Sequence, residues 1–205
     1  MVKPSWLFRI LYPKAICKIK EEDNTKTVYL TFDDGPNPRF TPWVLNLLED
    51  YNIRATFFLV GENVKKYPDI FEKIKSAGHS WGNHTMKHLD GLKCSTARYI
   101  EDIRAAEAII GSKLFRPPHG FMTGRQYNSI KKNHSIILQD IVSEDYDRNK
   151  TPEEIERDIR KYTENGSIIV FHDSEKAGDN LRASLEHVIK WILENGYEFR
   201  HIRMD

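Results

Sequence analysis

Apolar, β-branched runs alternate with amphipathic segments along this chain, and that alternation limits the folds open to it. Candidate strands run over Val28–Phe32, Ala55–Val60, Ser80–Gly82, Leu114–Arg116, Ser135–Val142, Ser167–His172 and Glu198–Arg203. Helical patterns fall between them, over Pro42–Tyr51, Pro68–Ala77, Thr96–Ile110, Arg125–Lys132, Pro152–Thr163 and Leu181–Glu194. Strands separated by helices pair parallel, so the expected class is α/β. About seven parallel strands in one unit suit a distorted or incomplete (β/α) barrel. The punctuation agrees. Thr41-Pro42 reads as an N-cap followed by Pro in the first turn, and Thr151-Pro152-Glu153-Glu154 as a capping box closed by Glu154. Gly78, Gly111, Gly166 and Gly196 fall just past helix ends, where a left-handed residue is wanted.

With 205 residues, 40% of them apolar, the chain is long enough for one domain with a real core. The expected division is a domain over 26–205 and a basic segment over 1–25 packed on or beside it. Net charge is +1, which argues against nucleic-acid binding. Within residues 1–20, Lys3, Arg9, Lys14, Lys18 and Lys20 interleave with Trp6, Phe8 and Tyr12 and no acid. Peripheral contact with a membrane or an anionic polymer is one reading, and packing against the domain is the favoured one. Two distant cysteines, Cys17 and Cys94, imply neither a disulfide framework nor a thiolate metal site. No window has the length of a membrane span and no secretory signal is read, so the expected location is the cytoplasm or the inner membrane face. A monomer is expected.

In a parallel α/β sheet, function gathers at the C-terminal ends of the strands. Asp33-Asp34 end the first strand, Gly82-Asn83-His84 follow the third, Arg116 ends the fourth, Asp145 follows the fifth and His172-Asp173 end the sixth. Adjacent carboxylates repel, so Asp33-Asp34 ask for a cation to share or a role as base. His84 and His88 are four apart and would share a face on a helical turn. By itself that spacing is weak, and a solvated helix face explains it as well. With Asp34 the two imidazoles make a three-ligand catalytic set, foremost for Zn²⁺, with Co²⁺, Mn²⁺ or Ni²⁺ compatible. Asp33 would take a proton from water activated by such an ion, unless it merely caps the turn before Gly35-Pro36. Arg116 would hold Asp33 ionised through a two-pronged pair, or would be an ordinary surface ion pair. His172 is the candidate acid on the opposite side, with Asp145 orienting it and raising its pKa. The backbone of Pro118-His119-Gly120 could offer an N–H to an oxyanion.

The runs Thr31–Pro36, His84–His88, Arg116–Gly120, Ser143–Tyr146 and Phe171–Asp173, in this order, resemble the five motifs of the polysaccharide deacetylases. This is carbohydrate esterase family four, with the NodB homology domain. The resemblance covers roughly residues 26–203 and implies a distorted (β/α) barrel. It further implies metal-dependent removal of an N- or O-acetyl group from a sugar, often N-acetylglucosamine in chitin or peptidoglycan. Carried over, Asp33 resembles the general base, Asp34, His84 and His88 the metal ligands, Arg116 the partner of the base, His172 the general acid and Asp145 its tuning residue. Pro118, His119, Gly120 and Tyr146 are expected to touch substrate. Three departures stand out. His119 replaces the usual Tyr. Val142 replaces the first Asp of the fourth motif, with Tyr146 in place of its Trp. The signal or anchor common in the family is not read here. Two other functions use the same parts: a metal-dependent hydrolase of a non-sugar amide, and a carbohydrate-binding protein without turnover.

Overall fold

The computed structural model describes residues 6–23 and 25–203; Lys3 lies outside them. In chain order the elements are α1 (Trp6–Leu11), β1 (Thr27–Asp33), α2 (Thr41–Asp50), β2 (Thr56–Leu59), α3 (Gly61–Lys66), α4 (Pro68–Ser76), β3 (Ser80–Asn83), α5 (Thr96–Ile110), β4 (Leu114–Phe115), α6 (Gly124–Ile130), β5 (Ser135–Ile136), β6 (Ile141–Val142), α7 (Pro152–Tyr162), β7 (Ser167–His172), α8 (Gly178–Glu194) and β8 (Glu198–Arg200). Every pairing between these strands is parallel, in the order β5-β4-β3-β2-β1-β7-β6, with β8 beside the first half of β1. The α/β class and the distorted, incomplete barrel expected from the alternation are both present.

One expected strand is two. The apolar run Ser135–Val142 forms β5 and β6, of two residues each, and they pair with opposite edges of the sheet. Ile136 and Ile141 are five residue steps apart, which spans at most about 17 Å of extended chain. The sheet therefore curls until its edges face each other. Between them the chain passes from one edge to the other: the Ile137 amide donates to Phe115 O (2.8 Å) and the Asp140 amide to Ile168 O (3.0 Å). Ile16 pairs with Ile137 in this gap.

Alternation along β1 sorts its side chains. Val28, Leu30 and Phe32 pack with the helices in the main core, together with Phe57 and Phe171. Tyr29 faces the barrel interior with Phe58, Leu114, Ile137 and Ile168. The inward set continues through Thr31 to Asp33, which brings β1 to the mouth with polar side chains pointing in.

Within the described residues, 8–19 lie against the rest of the chain. Phe8 and Tyr12 are buried with Met122 and Tyr127, the Lys14 amide donates to the Tyr127 hydroxyl (2.7 Å), and the Ile19 amide donates to Gly166 O (3.0 Å). The capping box at Thr151 and Glu154 forms. The N-cap expected at Thr41 does not: Phe40 holds that place without a side-chain cap. Thr41 instead accepts from the Asn37 amide and donates to buried Asp173, so its hydroxyl is committed to the turn.

Gly166 adopts φ +82°, and a Cβ there would collide with the carbonyl of Ile19. Gly166→Ala should therefore lower stability by about 2 kcal/mol or more, from left-handed strain and the displaced N-terminal segment. For a chain of this size that is a Tm drop of roughly 4–8 °C by calorimetry. An unchanged Tm would contradict the packing described for residues 16–20.

Candidate active site

In the register of β1 and β7, Asp33 stands beside His172 and Thr31 beside Val170. Asp33, His172 and Val170 line one cleft of about 440 Å³ at the C-terminal mouth of the barrel. The loops after β3 and β4 bring His84, His88 and Arg116 to the same cleft.

Arg116 is 1% exposed. Its Nη1 donates to Asp33 Oδ1 (2.6 Å) and to Thr31 Oγ1 (2.8 Å), and the guanidinium lies over the Phe58 ring, 4.0 Å from its centroid. The pair is thus buried rather than superficial, but it is single and not the expected fork. One nitrogen is shared by two residues of β1, and Nε and Nη2 have no hydrogen-bond partner among the described residues. Burial lowers the Arg116 pKa, and the charge of Asp33 opposes that fall.

Asp34 does not continue the strand that ends at Asp33. Its φ is +79°, so the chain has left the strand and turns the second carboxylate away. Asp34 Oδ1 lies 3.1 Å from His88 Nε2 and 3.7 Å from His84 Nε2. The histidines are not on a helical turn either. They sit in an irregular loop with positive φ at Thr85 (67°) and His88 (52°). Asp102, a buried acid on α5 that the sequence reading did not single out, braces this loop by accepting the Met86 (2.6 Å) and Lys87 (3.1 Å) amides. The Thr85 hydroxyl adds a bond from the Leu89 amide (3.0 Å).

The Arg116 carbonyl accepts from His84 Nδ1 (2.8 Å), which fixes the tautomer and leaves Nε2 toward Asp34. Burial lowers the His84 pKa to about 4 against the pull of Asp33, so the ring is neutral near pH 7. For Asp34, burial favours the acid form. His88 beside it and the charges of His172 and His84 outweigh burial and hold the carboxyl well below the usual range. One ligand atom each from Asp34, His84 and His88 gather within 4.8 Å of one another. Asp34 Oδ1 is buried without a hydrogen-bond donor. An ionised carboxylate, the neutral His84 ring, the His88 imidazole beside it and an orphaned oxygen fit a divalent cation.

Beside Asp33, His172 Nδ1 donates to Asp145 Oδ1 (2.7 Å), and the His172 amide donates to Asp145 Oδ2 (2.8 Å). Burial alone would lower the His172 pKa. The charge and hydrogen bond of Asp145, then Asp34 and Asp33, raise it to about 9. Asp145 is itself buried, behind His172.

His119 and Gly120 line the cleft, whereas Pro118 is buried and Pro117 takes the wall position. His119 has φ +60° and its ring stands edge-on to His88 at 4.9 Å, outside the cluster of Asp34, His84 and His88. The Gly120 amide is bonded to Pro117 O (3.0 Å). Tyr146 is half-buried, edge-on to His172 at 5.0 Å. Gln139 and Lys176 also line the cleft, unforeseen because neither belongs to a recognisable pattern. Asp173 is fully buried against Gly35, and burial pushes its carboxyl up to about 8.

Fold and cleft together define a (β/α)-barrel protein with a three-ligand cluster and a separate ion-paired carboxylate at its mouth. The chain belongs to the polysaccharide deacetylase family, whose pattern it matches over residues 20–134. A peptidoglycan-N-acetylglucosamine deacetylase of Bacillus cereus is 31% identical over 196 residues, 92% of either chain. A chitooligosaccharide deacetylase of a Bradyrhizobium species is 31% identical over 163 residues, 76% of this chain and 74% of its own length. A solved peptidoglycan N-acetylglucosamine deacetylase in complex with 4-naphthalen-1-yl-N-oxidanyl-benzamide superposes with TM-score 0.87 at 28% identity, covering 97% of this chain and 95% of that one. No helix among the described residues is long and apolar enough to cross a membrane.

Because Asp145 raises the His172 pKa, folding favours the charged ring. The stability this pair contributes is complete below the ordinary pKa of 6.5 and is lost as pH rises through about 9. In metal-free protein, Asp145→Asn should drop the His172 titration midpoint by more than a unit, read by imidazole NMR. A midpoint that stays near that of the parent would mean Asp145 does not set it.

Proposed function

We propose that the protein is a divalent-metal-dependent hydrolase that removes N-acetyl groups from an amino-sugar-containing saccharide, with 26–205 as the unit that carries the activity. The convergence of Asp34, His84 and His88 beside a buried Asp33–Arg116 pair carries this reading. A divalent ion held there, with Zn²⁺ the best match to the donors, would polarise an acetyl carbonyl and acidify a nearby water.

The residues divide the remaining work. Asp33 accepts the proton of the attacking water, and Arg116 holds its carboxylate in place through Oδ1. Pro118 has no N–H and that of Gly120 is bonded to Pro117 O, so the His119 amide is the candidate donor to the oxyanion. His172, charged near neutrality, gives its proton to the departing sugar nitrogen, and Asp145 holds its other ring nitrogen. Val142 and Val170 offer an apolar wall suited to an acetyl methyl, and Tyr146 a ring on which a sugar can lie. With base, acid and ligand set all in place, a binding-only role is the weaker reading. The aromatic wall favours a sugar over a linear amide.

Acetylated chito-oligosaccharides should release acetate, lose that activity on chelation and regain it with Zn²⁺ or Co²⁺. Asp33→Asn should lower kcat by roughly 10²- to 10⁴-fold, as for loss of a positioned base. Acetate release that ignores the chelator, or an Asp33→Asn variant as fast as the parent, would refute the mechanism.

A further inference from the structure

Lys176 belongs to the connection between β7 and α8, four residues past His172. Its side chain is exposed and lines the cleft. Its ammonium stands over the ring of Tyr146, 4.9 Å from the centroid, and the same ring makes a T-shaped contact with His172. A single aromatic side chain thus separates this cation from the candidate acid. Among the described residues no carboxylate lies within ion-pair distance of Lys176. The neighbouring Glu175 is engaged by Arg39 (3.5 Å) and Glu144 by Lys150 (2.9 Å). Elsewhere in the cleft Asp33 is paired with Arg116 and His172 with Asp145, while Asp34 lies in the cluster with His84 and His88. On the Tyr146 side of the cleft, Lys176 thus offers substrate a positive charge without a carboxylate partner among the described residues, next to an aromatic ring.

We infer that Lys176 sets a preference for saccharides that carry a carboxylate next to the N-acetylated sugar: an anionic glycan rather than a neutral one. This rests on the saccharide reading of the cleft given above. A sugar ring on Tyr146 would bring its substituents beside the ammonium, where a carboxylate gains a charge-assisted bond and a neutral hydroxyl gains less. The interaction is exposed, so its size is that of a surface ion pair, about a two- to fivefold gain in affinity. It should also be screened by salt.

The test uses Asp33→Asn protein, so that ligands bind without turnover, and calorimetry against three tetrasaccharides. These are neutral N-acetylchitotetraose, a peptide-free glycan of alternating N-acetylglucosamine and N-acetylmuramic acid, and the methyl ester of that glycan. The free acid should bind about two- to fivefold tighter than its ester, and the advantage should vanish in 1 M salt. Lys176→Met should abolish the advantage, Lys176→Glu should reverse it and Lys176→Arg should keep it. Equal binding of acid and ester, an advantage that survives in Lys176→Met, or no binding of any of the three would overturn the proposal. The deacetylase reading is judged separately, by acetate release from the parent. A parent that prefers the acid but releases no acetate would fail that reading and leave the role of Lys176 standing.

Discussion

The ion pair between Arg116 and Asp33 is the constraint from which the site is built. A guanidinium 1% exposed inside a barrel has given up most of its hydration, and it is tolerable only if an anion and hydrogen bonds replace the water. Asp33 and the Thr31 hydroxyl do so from the inward face of β1, and Phe58 covers one side of the plane. Removing either charge would strand the other, at a cost of about 3–5 kcal/mol for pairs of this kind. The same residue reaches the cluster as well, since its carbonyl orients the ring of His84. With Asp33 engaged by Arg116, Asp34 is the acid left for a cation. Its left-handed backbone turns it toward the imidazoles.

Beside that pair, on the next strand, stands a second one of the other sense. Asp145 holds His172 charged, whereas Arg116 faces a carboxylate. The cleft thus sets a carboxylate and a charged imidazole on neighbouring strands, the arrangement the proposed acid–base hydrolysis would use. Backbone strain gathers around this mouth. Of the non-glycine residues with positive φ, Asp34, Thr85, His88, His119 and Glu144 lie in the loops at the strand ends, and Asn52 alone among the described residues lies elsewhere. Such conformations persist only where the surroundings hold them, as Asp102 holds the His84–His88 loop.

The barrel and the site's position were legible because both follow from periodicity. Apolar runs alternate with amphipathic segments along the chain, and chemistry at strand ends converges in a parallel α/β sheet. What escaped depends on the path of the chain in three dimensions. Ser135–Val142 is mostly apolar, and the polar pair Gln139-Asp140 inside it does not by itself say that the two halves serve opposite edges. The spacing of His84 and His88 suits a helix, yet the tertiary bonds of Asp102 and Thr85 impose an irregular loop. Thr41 looked like a cap because its claim by Asp173 is long-range. A fork from Arg116 was expected from chemistry alone, and the shared nitrogen follows from where Thr31 happens to stand. Gln139, Lys176 and Asp102 carried no local signal at all.

The central claim is the division of labour between two adjacent carboxylates, and metal content tests it most directly. Metal-free parent, Asp33→Asn and Asp34→Asn should be titrated with Zn²⁺ and their stoichiometry and affinity compared. One ion per chain, bound by Asp33→Asn nearly as tightly as by the parent and by Asp34→Asn at least tenfold more weakly, is the predicted result. Loss of the ion on changing Asp33, with Asp34→Asn binding like the parent, would contradict it.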